Sequence, residues 1–201
     1  MHYPVLKFPV NNHPPKIIFP SYWKILYENR LIGDIGNSCL LSVDGTDFLM
    51  AMSYCKDYYS YKFKAMGLRY EVALNIITGD ICWWHGQFEP GIYNDLMIFQ
   101  RGLQGELEAD SERVEADQGY QGAFPLYVQC PPFEIPDRTG MTARVRLRHE
   151  TCNRRFKRWN ILKAAYRHDI LDHQAVFAAV VCLAHFCFEH GEPLFPVEYD
   201  Y

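Results

Sequence analysis

The sequence predicts a mixed α/β domain built on one central sheet flanked by helices. The predicted elements run in the order strand, hairpin, helix, strand, strand, helix, helix, which is typical of such a domain. Nearly half of the 201 residues are hydrophobic and 15% are aromatic, so we expect a globular chain with a substantial core. The length favours one domain, over residues 39–195, between an N-terminal arm of residues 1–38 and a short tail of residues 196–201.

The first predicted strand ends at an aspartate. The proline-rich arm is expected to be extended, with a short helix over residues 21–29. A short apolar strand over residues 40–43 is followed by Asp44 and Gly45. An aspartate after a buried strand commonly starts a turn, but this is also where open α/β sheets place their chemistry.

A hairpin, a helix and two short strands follow. Residues 58–84 predict the hairpin, with a turn at residues 78–80. A helix of about 12 residues follows Asn94 and Asp95, and the simplest role for Asp95 is its N-cap. Residues 113–116 and 126–130 are predicted strands, and the first of them ends at Asp117. Asp117 is therefore a second acid at the end of a strand.

Residues 139–167 predict one long basic helix. They carry nine lysines and arginines and a single acid, Glu150, whereas residues 106–117 are strongly acidic. This charge separation favours an anionic partner such as nucleic acid, although the formal net charge is −4. Glu150 has two interpretations. It could form surface pairs with neighbouring arginines, or it could bind a metal ion among phosphate-binding cations.

The last predicted helix covers residues 173–190, and its apolar composition indicates that it is largely buried. No apolar run approaches 20 residues, so we expect no membrane span. The seven cysteines form no CxxC pair, which argues against a zinc finger and favours a reducing intracellular compartment.

Three carboxylates stand at informative positions: Asp44, Asp117 and Glu150. If the two strands are neighbours, their ends lie about 5 to 10 Å apart. Carboxylates that converge without cations repel one another, so such a group would favour Mg²⁺ or Mn²⁺. Two such ions support phosphodiester cleavage.

Several segments resemble the DDE superfamily endonucleases, the transposases of the PIF/Harbinger type. The resemblance rests on five segments in the same order and spacing, which together span most of residues 40–195: VDGTDF (43–48), NIITGDICWWHGQFEPGIYNDLMIF (75–99), VEADQGYQG (114–122), RLRHETCNRRFKRWNIL (146–162) and GEPLF (191–195).

The resemblance implies a ribonuclease-H-like fold with an Asp-Asp-Glu triad holding two divalent ions, Mg²⁺ or Mn²⁺. Asp44, Asp117 and Glu150 match the triad, and Asp95 matches another acid that could replace Asp117. We prefer Asp117, because a strand end is a stiffer position than a helix N-cap. The expected phosphate contacts are Arg146, Arg154, Arg155, Lys157 and Arg158. In related transposases a tyrosine precedes the arginine that corresponds to Arg146, and Ala143 stands here at the position of that tyrosine.

The expected function is metal-dependent cleavage of double-stranded DNA by a domain derived from a transposable element. The usual helix-turn-helix does not fit before Asp44, so a separate DNA-binding protein is a candidate partner. A homo-oligomer is a further possibility. In a eukaryotic cell, the protein would be nuclear. The alternative is a domesticated, non-catalytic module that keeps the fold and binds DNA or protein.

Overall fold

The computed structural model describes residues 17–18, 39–107, 112–130 and 141–197. The strands are β1 (Ile17–Ile18), β2 (Cys39–Leu49), β3 (Tyr59–Ser60), β4 (Ala65–Asn75), β5 (Ile81–Phe88), β6 (Arg113–Glu115) and β7 (Val128–Gln129). The α-helices are α1 (Asp95–Arg101), α2 (Met141–Phe156), α3 (Asn160–Lys163) and α4 (His173–Glu189), and short 3-10 helices lie at Lys56–Tyr58, Leu103–Glu106, Gln118–Ala123 and Ile170–Asp172.

The strands form one mixed sheet in the order β1-β5-β4-β2-β6-β7, and β3 pairs with β4 beside this path. The strands β5, β4 and β2 pair antiparallel, whereas β2, β6 and β7 run parallel. This arrangement confirms the predicted mixed α/β domain and places β2 at the junction between the antiparallel and parallel parts.

Helices cover both faces of the sheet. On one face Val72 and Leu74 of β4 pack with Phe156 of α2 and Phe177 of α4. On the other face, Ala73 of the same strand packs into a second cluster around α1. Because successive side chains of a strand point to opposite faces, β4 is buried on both sides, as a central strand should be.

The predicted helices differ from the observed ones in their ends. The long basic helix ends at Phe156, and a turn separates it from the short helix α3. Helix α1 ends at Arg101 because the chain passes close to β5 at Gly102, where an added Cβ would lie 2.4 Å from the His85 ring. The helix predicted over residues 21–29 lies outside the described residues.

The last helix is only half-buried, contrary to expectation. Phe177 and Val181 face the sheet, but Leu183 and Phe186 on the other side are exposed. By length and composition alone, residues 170–189 could cross a membrane, although we predicted no apolar run of that length. This is weak evidence, since a helix packed in the core of a soluble protein passes the same test.

Candidate active site

Asp44 lies in the middle of β2, not at the end of a strand as the sequence suggested. Strand β2 continues to Leu49, and Asp44 pairs across the ladder with Val72 of β4. The sequence after Asp44 looked like a turn, but Asp47 is buried and bonded to Arg69 of β4 at 2.7 Å. This bond stabilises a polar residue inside the sheet, so the strand continues past Asp44.

Asp117 follows β6, the parallel neighbour of β2, and lies beside Asp44. In the register of β2 and β6, Ser42 pairs with Glu115. Asp44 and Asp117 each come two residues later, and the backbone of Asp117 is still extended, with φ −79° and ψ −178°. Adjacent strands are about 4.8 Å apart, so the two aspartates are brought together at one level of the sheet. Asp117 also caps the following 3-10 helix, because its carboxylate accepts a hydrogen bond from the Gly119 amide at 2.8 Å.

Asp95 joins these two acids from the first residue of helix α1. Asn94, not Asp95, is the N-cap, since its side chain accepts a hydrogen bond from the Met97 amide. The carboxylate of Asp95 therefore does not cap the helix. An added Cβ on Gly45 would lie 2.3 Å from Asp95 Oδ1, so this close approach requires glycine.

A second glycine lies between Asp95 and Asp117. An added Cβ on Gly119 would lie 2.9 Å from Asp117 Oδ1 and 3.3 Å from Asp95 Oδ2. The two carboxylate oxygens are therefore no farther apart than the sum of these distances. The structure thus brings both candidates for the second acid into one cluster with Asp44.

The electrostatics of this acid cluster, defined as Asp44, Asp95 and Asp117, favour a cation. The pKa of Asp44 is raised to about 7, chiefly by burial; Lys62 lowers it, and the charges of Asp117 and Asp95 raise it. Burial also raises the pKa of Asp95, which Arg69 lowers through an ion pair at 3.3 Å. Like charges held together in a partly buried place disfavour their own ionised forms, so a bound cation would relieve them.

We expect Asp44→Asn to raise the free energy of unfolding at pH 8 by up to about 4 kcal/mol, since Asp44 has a folded-state pKa of about 7 against an ordinary 3.8. Between these two values the folded chain binds the proton that the unfolded chain has lost. The wild type should therefore lose stability, relative to the variant, as pH rises from about 4 to about 7. Urea unfolding at pH 4 and pH 8 measures the difference.

The control for this measurement is Asp172→Asn, because Asp172 is exposed and outside the cluster. Burial lowers the pKa of His149 to about 3 and that of His173 to about 4. These histidines destabilise the chain as pH falls below 6.5, but they do so equally in all three proteins. A constant gap between Asp44→Asn and wild type across this range would contradict the proposed environment of Asp44.

Glu150 lies on α2 next to the sheet, but its side chain does not reach the acid cluster. The preceding residue, His149, is buried and shares a 2.8 Å hydrogen bond with Ser42 of β2. The Glu150 side chain is 63% exposed and pairs with Arg154 at 3.5 Å. Glu150 is also not among the largest influences on the pKa of Asp44. Helix α2 is thus held on β2 at the residue before Glu150, and the Glu150 carboxylate pairs with an arginine.

The predicted phosphate contacts divide into three groups. Arg146 and Arg154 are exposed on α2. Arg155 and Arg158 both bind one carboxylate oxygen of Glu192. Lys157, in the turn after α2, lies over the Phe48 and Phe63 rings, with its Nζ 5.5 and 4.7 Å from their centroids.

Sequence reasoning missed two charged residues around the cluster and one beneath it. Arg69 bridges Asp47 and Asp95, and Lys62 acts on Asp44 and Asp95. Glu71 is buried opposite Gly45 on β4, and burial together with Asp95 raises its pKa well above the ordinary range. The sequence contains one signal for two of them. Arg69 and Glu71 stand at alternating positions of the predicted strand 69–77, so they lie on one face of the sheet, the face on which Gly45 also lies.

The donors of the acid cluster suit a hard divalent cation in type and charge, since carboxylate oxygens are the ligands that Mg²⁺ and Mn²⁺ prefer. Within the part of the chain that the structure describes, no group of three or more His, Cys, Asp or Glu is arranged to hold a metal ion. Among the described residues, Asp44 and Asp117 therefore supply at most two ligands of such a site, Asp95 lies close to Asp117, and the carboxylate of Glu150 pairs with Arg154.

No protein-family model matches the chain, and no curated protein is significantly similar to it.

Proposed function

We propose that this chain is a metal-dependent DNA nuclease domain of the DDE transposase type. The observation that carries the proposal is the placement of Asp44, on β2, beside Asp117, which follows the neighbouring parallel strand β6, with Asp95 close to Asp117. Phosphodiester cleavage needs such a carboxylate cluster to hold divalent cations on a surface that also binds phosphate.

The sheet supports a ribonuclease-H-like fold. Three antiparallel strands, β5, β4 and β2, are followed by two parallel ones, β6 and β7. The central strand β2 carries the first acid and its parallel neighbour is followed by the second. Helix α2, which carries Glu150, packs on β2 through His149. This is the arrangement expected of that fold when its nuclease site is present.

Asp44 and Asp117 would hold the metal ions, with Asp95 or Glu150 as the third acid. Bound divalent ions supply an activated water or 3′-hydroxyl and stabilise the leaving oxygen. The protein residues do the rest. Arg69 fixes the Asp95 carboxylate through their 3.3 Å ion pair, and Gly45 and Gly119 leave room for it. Arg146 and Arg154 are exposed cations of α2 that would contact DNA phosphates.

The alternative is a domesticated module that binds DNA or protein without cleaving. One observation favours it: the Glu150 side chain is exposed and paired with Arg154 instead of completing the triad. In either case a separate DNA-binding protein or a second copy of the chain could complete DNA recognition. A DNA substrate in a eukaryotic cell would place the protein in the nucleus.

The test of the metal site is a thermal-shift titration with Mg²⁺ and Mn²⁺. A ligand that binds only the folded state raises the melting temperature, so both ions should stabilise the wild type. Asp44→Asn and Asp117→Asn should remove most of that shift, whereas Asp172→Asn should keep it. Equal shifts in all four proteins would contradict a site at Asp44 and Asp117.

Glu192→Gln should increase DNA affinity, because it releases two arginines. Arg155 and Arg158 converge on this exposed carboxylate and lower its pKa. Each arginine that then reaches a phosphate should steepen the dependence of log affinity on log salt by about 0.9. Fluorescence anisotropy with a labelled duplex between 50 and 200 mM salt measures both effects. An unchanged affinity and slope would show that this pair of arginines does not contact DNA.

A further inference from the structure

Residues 52–64 form a surface element in which aromatic and basic side chains alternate. We call it the aromatic–basic hairpin; it comprises a loop, the 3-10 helix Lys56–Tyr58, β3 and the turn into β4. Its aromatic residues are Tyr54, Tyr58, Tyr59, Tyr61 and Phe63, and its charged residues are Lys56, Lys62 and Lys64 against Asp57 alone. All three lysines are exposed.

Two of its aromatic rings project into solvent. The side chains of Tyr54 and Tyr61 are 74% and 72% exposed. They flank Tyr59, with ring centroids 5.9 and 5.2 Å from it, and Tyr59 itself packs against the core. A row of three rings that is anchored in the middle and exposed at both ends presents a large apolar surface without a partner among the described residues.

The base of the hairpin is held in place. Ser60 donates a hydrogen bond to the buried carboxylate of Asp47 at 2.5 Å, and Arg69 binds the same carboxylate. On the other side, the Gly91 amide donates to the Asp57 carbonyl at 2.8 Å. The exposed rings therefore stand on a fixed base, so they can bind a ligand at a smaller cost in conformational entropy.

The same contacts connect the hairpin to the acid cluster. Asp47 lies three residues beyond Asp44 on β2, and Arg69 bonds both Asp47 and Asp95. Lys62 of the hairpin is close enough to lower the pKa of both Asp44 and Asp95. The hairpin thus borders the acid cluster.

We propose that the aromatic–basic hairpin binds an unpaired DNA strand, with Tyr54 and Tyr61 stacking on bases and its lysines contacting the phosphates. Stacking platforms interleaved with cations are the usual means of binding single strands. Duplex DNA does not offer its base faces, so exposed rings favour unpaired nucleotides over a duplex. This inference rests on the proposed function for its role, because the strand would be presented to the acid cluster for cleavage.

The backbone conformation of Lys64 allows a variant that removes one cation without a loss of stability. Lys64 has φ 53°, in the left-handed region where glycine is at ease and a lysine is strained. Lys64→Gly relieves this strain and removes one cation. We expect a chain with an unchanged or higher melting temperature, and a salt slope for single-strand binding that falls by about 0.7 for one lost phosphate contact.

The test is fluorescence anisotropy of a labelled oligo(dT) and of a duplex of equal length, with the full chain in EDTA. The wild type should bind the single strand more tightly. Tyr54→Ala and Tyr61→Ala should each weaken single-strand binding by about fivefold or more, the loss expected when one base loses its stacking partner. Tyr54→Phe and Tyr61→Phe keep the ring and should retain the affinity, whereas Tyr54→Leu and Tyr61→Leu should lose it. Leu171→Ala, on an exposed site elsewhere, should change nothing.

Three results would overturn the inference. These are equal or tighter binding of the duplex, full affinity in the alanine variants, and full affinity in the leucine variants, which would indicate apolar contact without stacking. A failure of the proposed nuclease function would give a different set of results. If Asp44→Asn keeps the thermal shift with Mg²⁺ while the tyrosine variants lose single-strand binding, the hairpin inference stands and the nuclease proposal falls.

Discussion

Phe177→Ala is expected to lower the free energy of unfolding by about 3 to 5 kcal/mol, the usual loss for a buried phenylalanine. The ring of Phe177 on α4 is fully buried among four aromatic rings. Its centroid lies 4.0 Å from Tyr70, 5.2 Å from Trp84, 5.3 Å from Phe48 and 5.5 Å from Phe156. Truncation removes the ring contacts that Phe177 makes with α2 and with the sheet, and the large neighbouring rings cannot close the cavity. Urea unfolding monitored by tryptophan fluorescence measures the loss.

Leu171→Ala is the matched control, since Leu171 lies just before α4 and is 80% exposed. We expect a change within about 0.5 kcal/mol, as for most surface substitutions. A loss below about 1 kcal/mol in Phe177→Ala would mean that this cluster does not hold α4 on the sheet.

If Glu150 is the third acid of the metal site, Glu150→Gln is expected to reduce metal-dependent cleavage by orders of magnitude while folding is retained. Glutamine keeps the shape of the side chain but loses the charge that an ion requires. If Glu150 is only a surface partner of Arg154, the substitution costs about 0.3 to 0.5 kcal/mol and leaves any cleavage unchanged. DNA affinity should be unchanged or higher, because a negative charge leaves a basic helix.

Arg154→Gln separates the two roles, since it breaks the same ion pair and keeps the carboxylate. We expect this variant to cleave, with some loss of DNA affinity. Asp95→Asn belongs in the same series. If Asp95→Asn abolishes cleavage and Glu150→Gln does not, then Asp95 takes the place of Glu150 among the acids, and the resemblance at the basic helix carries no catalytic meaning.

The sequence predicted the kinds and the order of the elements well. The predicted hairpin is confirmed by the antiparallel pairing of β4 and β5, and Gly79 in its turn has a φ of 82°, where glycine is favoured. The last helix begins at the predicted residue and ends one residue early. These features depend on local patterns of residues, which can be read without knowledge of the tertiary contacts.

The misses depend on tertiary contacts. Asp44 and Gly45 resemble the start of a turn, yet β2 continues because Arg69 satisfies Asp47 and Asp95 fills the space above Gly45. The exposed side of α4 could not be predicted from its uniform apolar composition, since only contacts reveal which side packs. The proximity of Asp95 to Asp117 depends on Gly119, which no spacing rule indicates.

The most direct measurement is the rate at which purified protein nicks supercoiled plasmid in Mg²⁺, for the wild type, Asp117→Asn and Asp172→Asn. We expect nicking by the wild type and by Asp172→Asn, none in EDTA, and a loss of orders of magnitude in Asp117→Asn with the fold intact by circular dichroism. Nicking by Asp117→Asn at the wild-type rate, or no nicking by the wild type in either Mg²⁺ or Mn²⁺, would contradict the assignment of a DNA nuclease site to the paired aspartates.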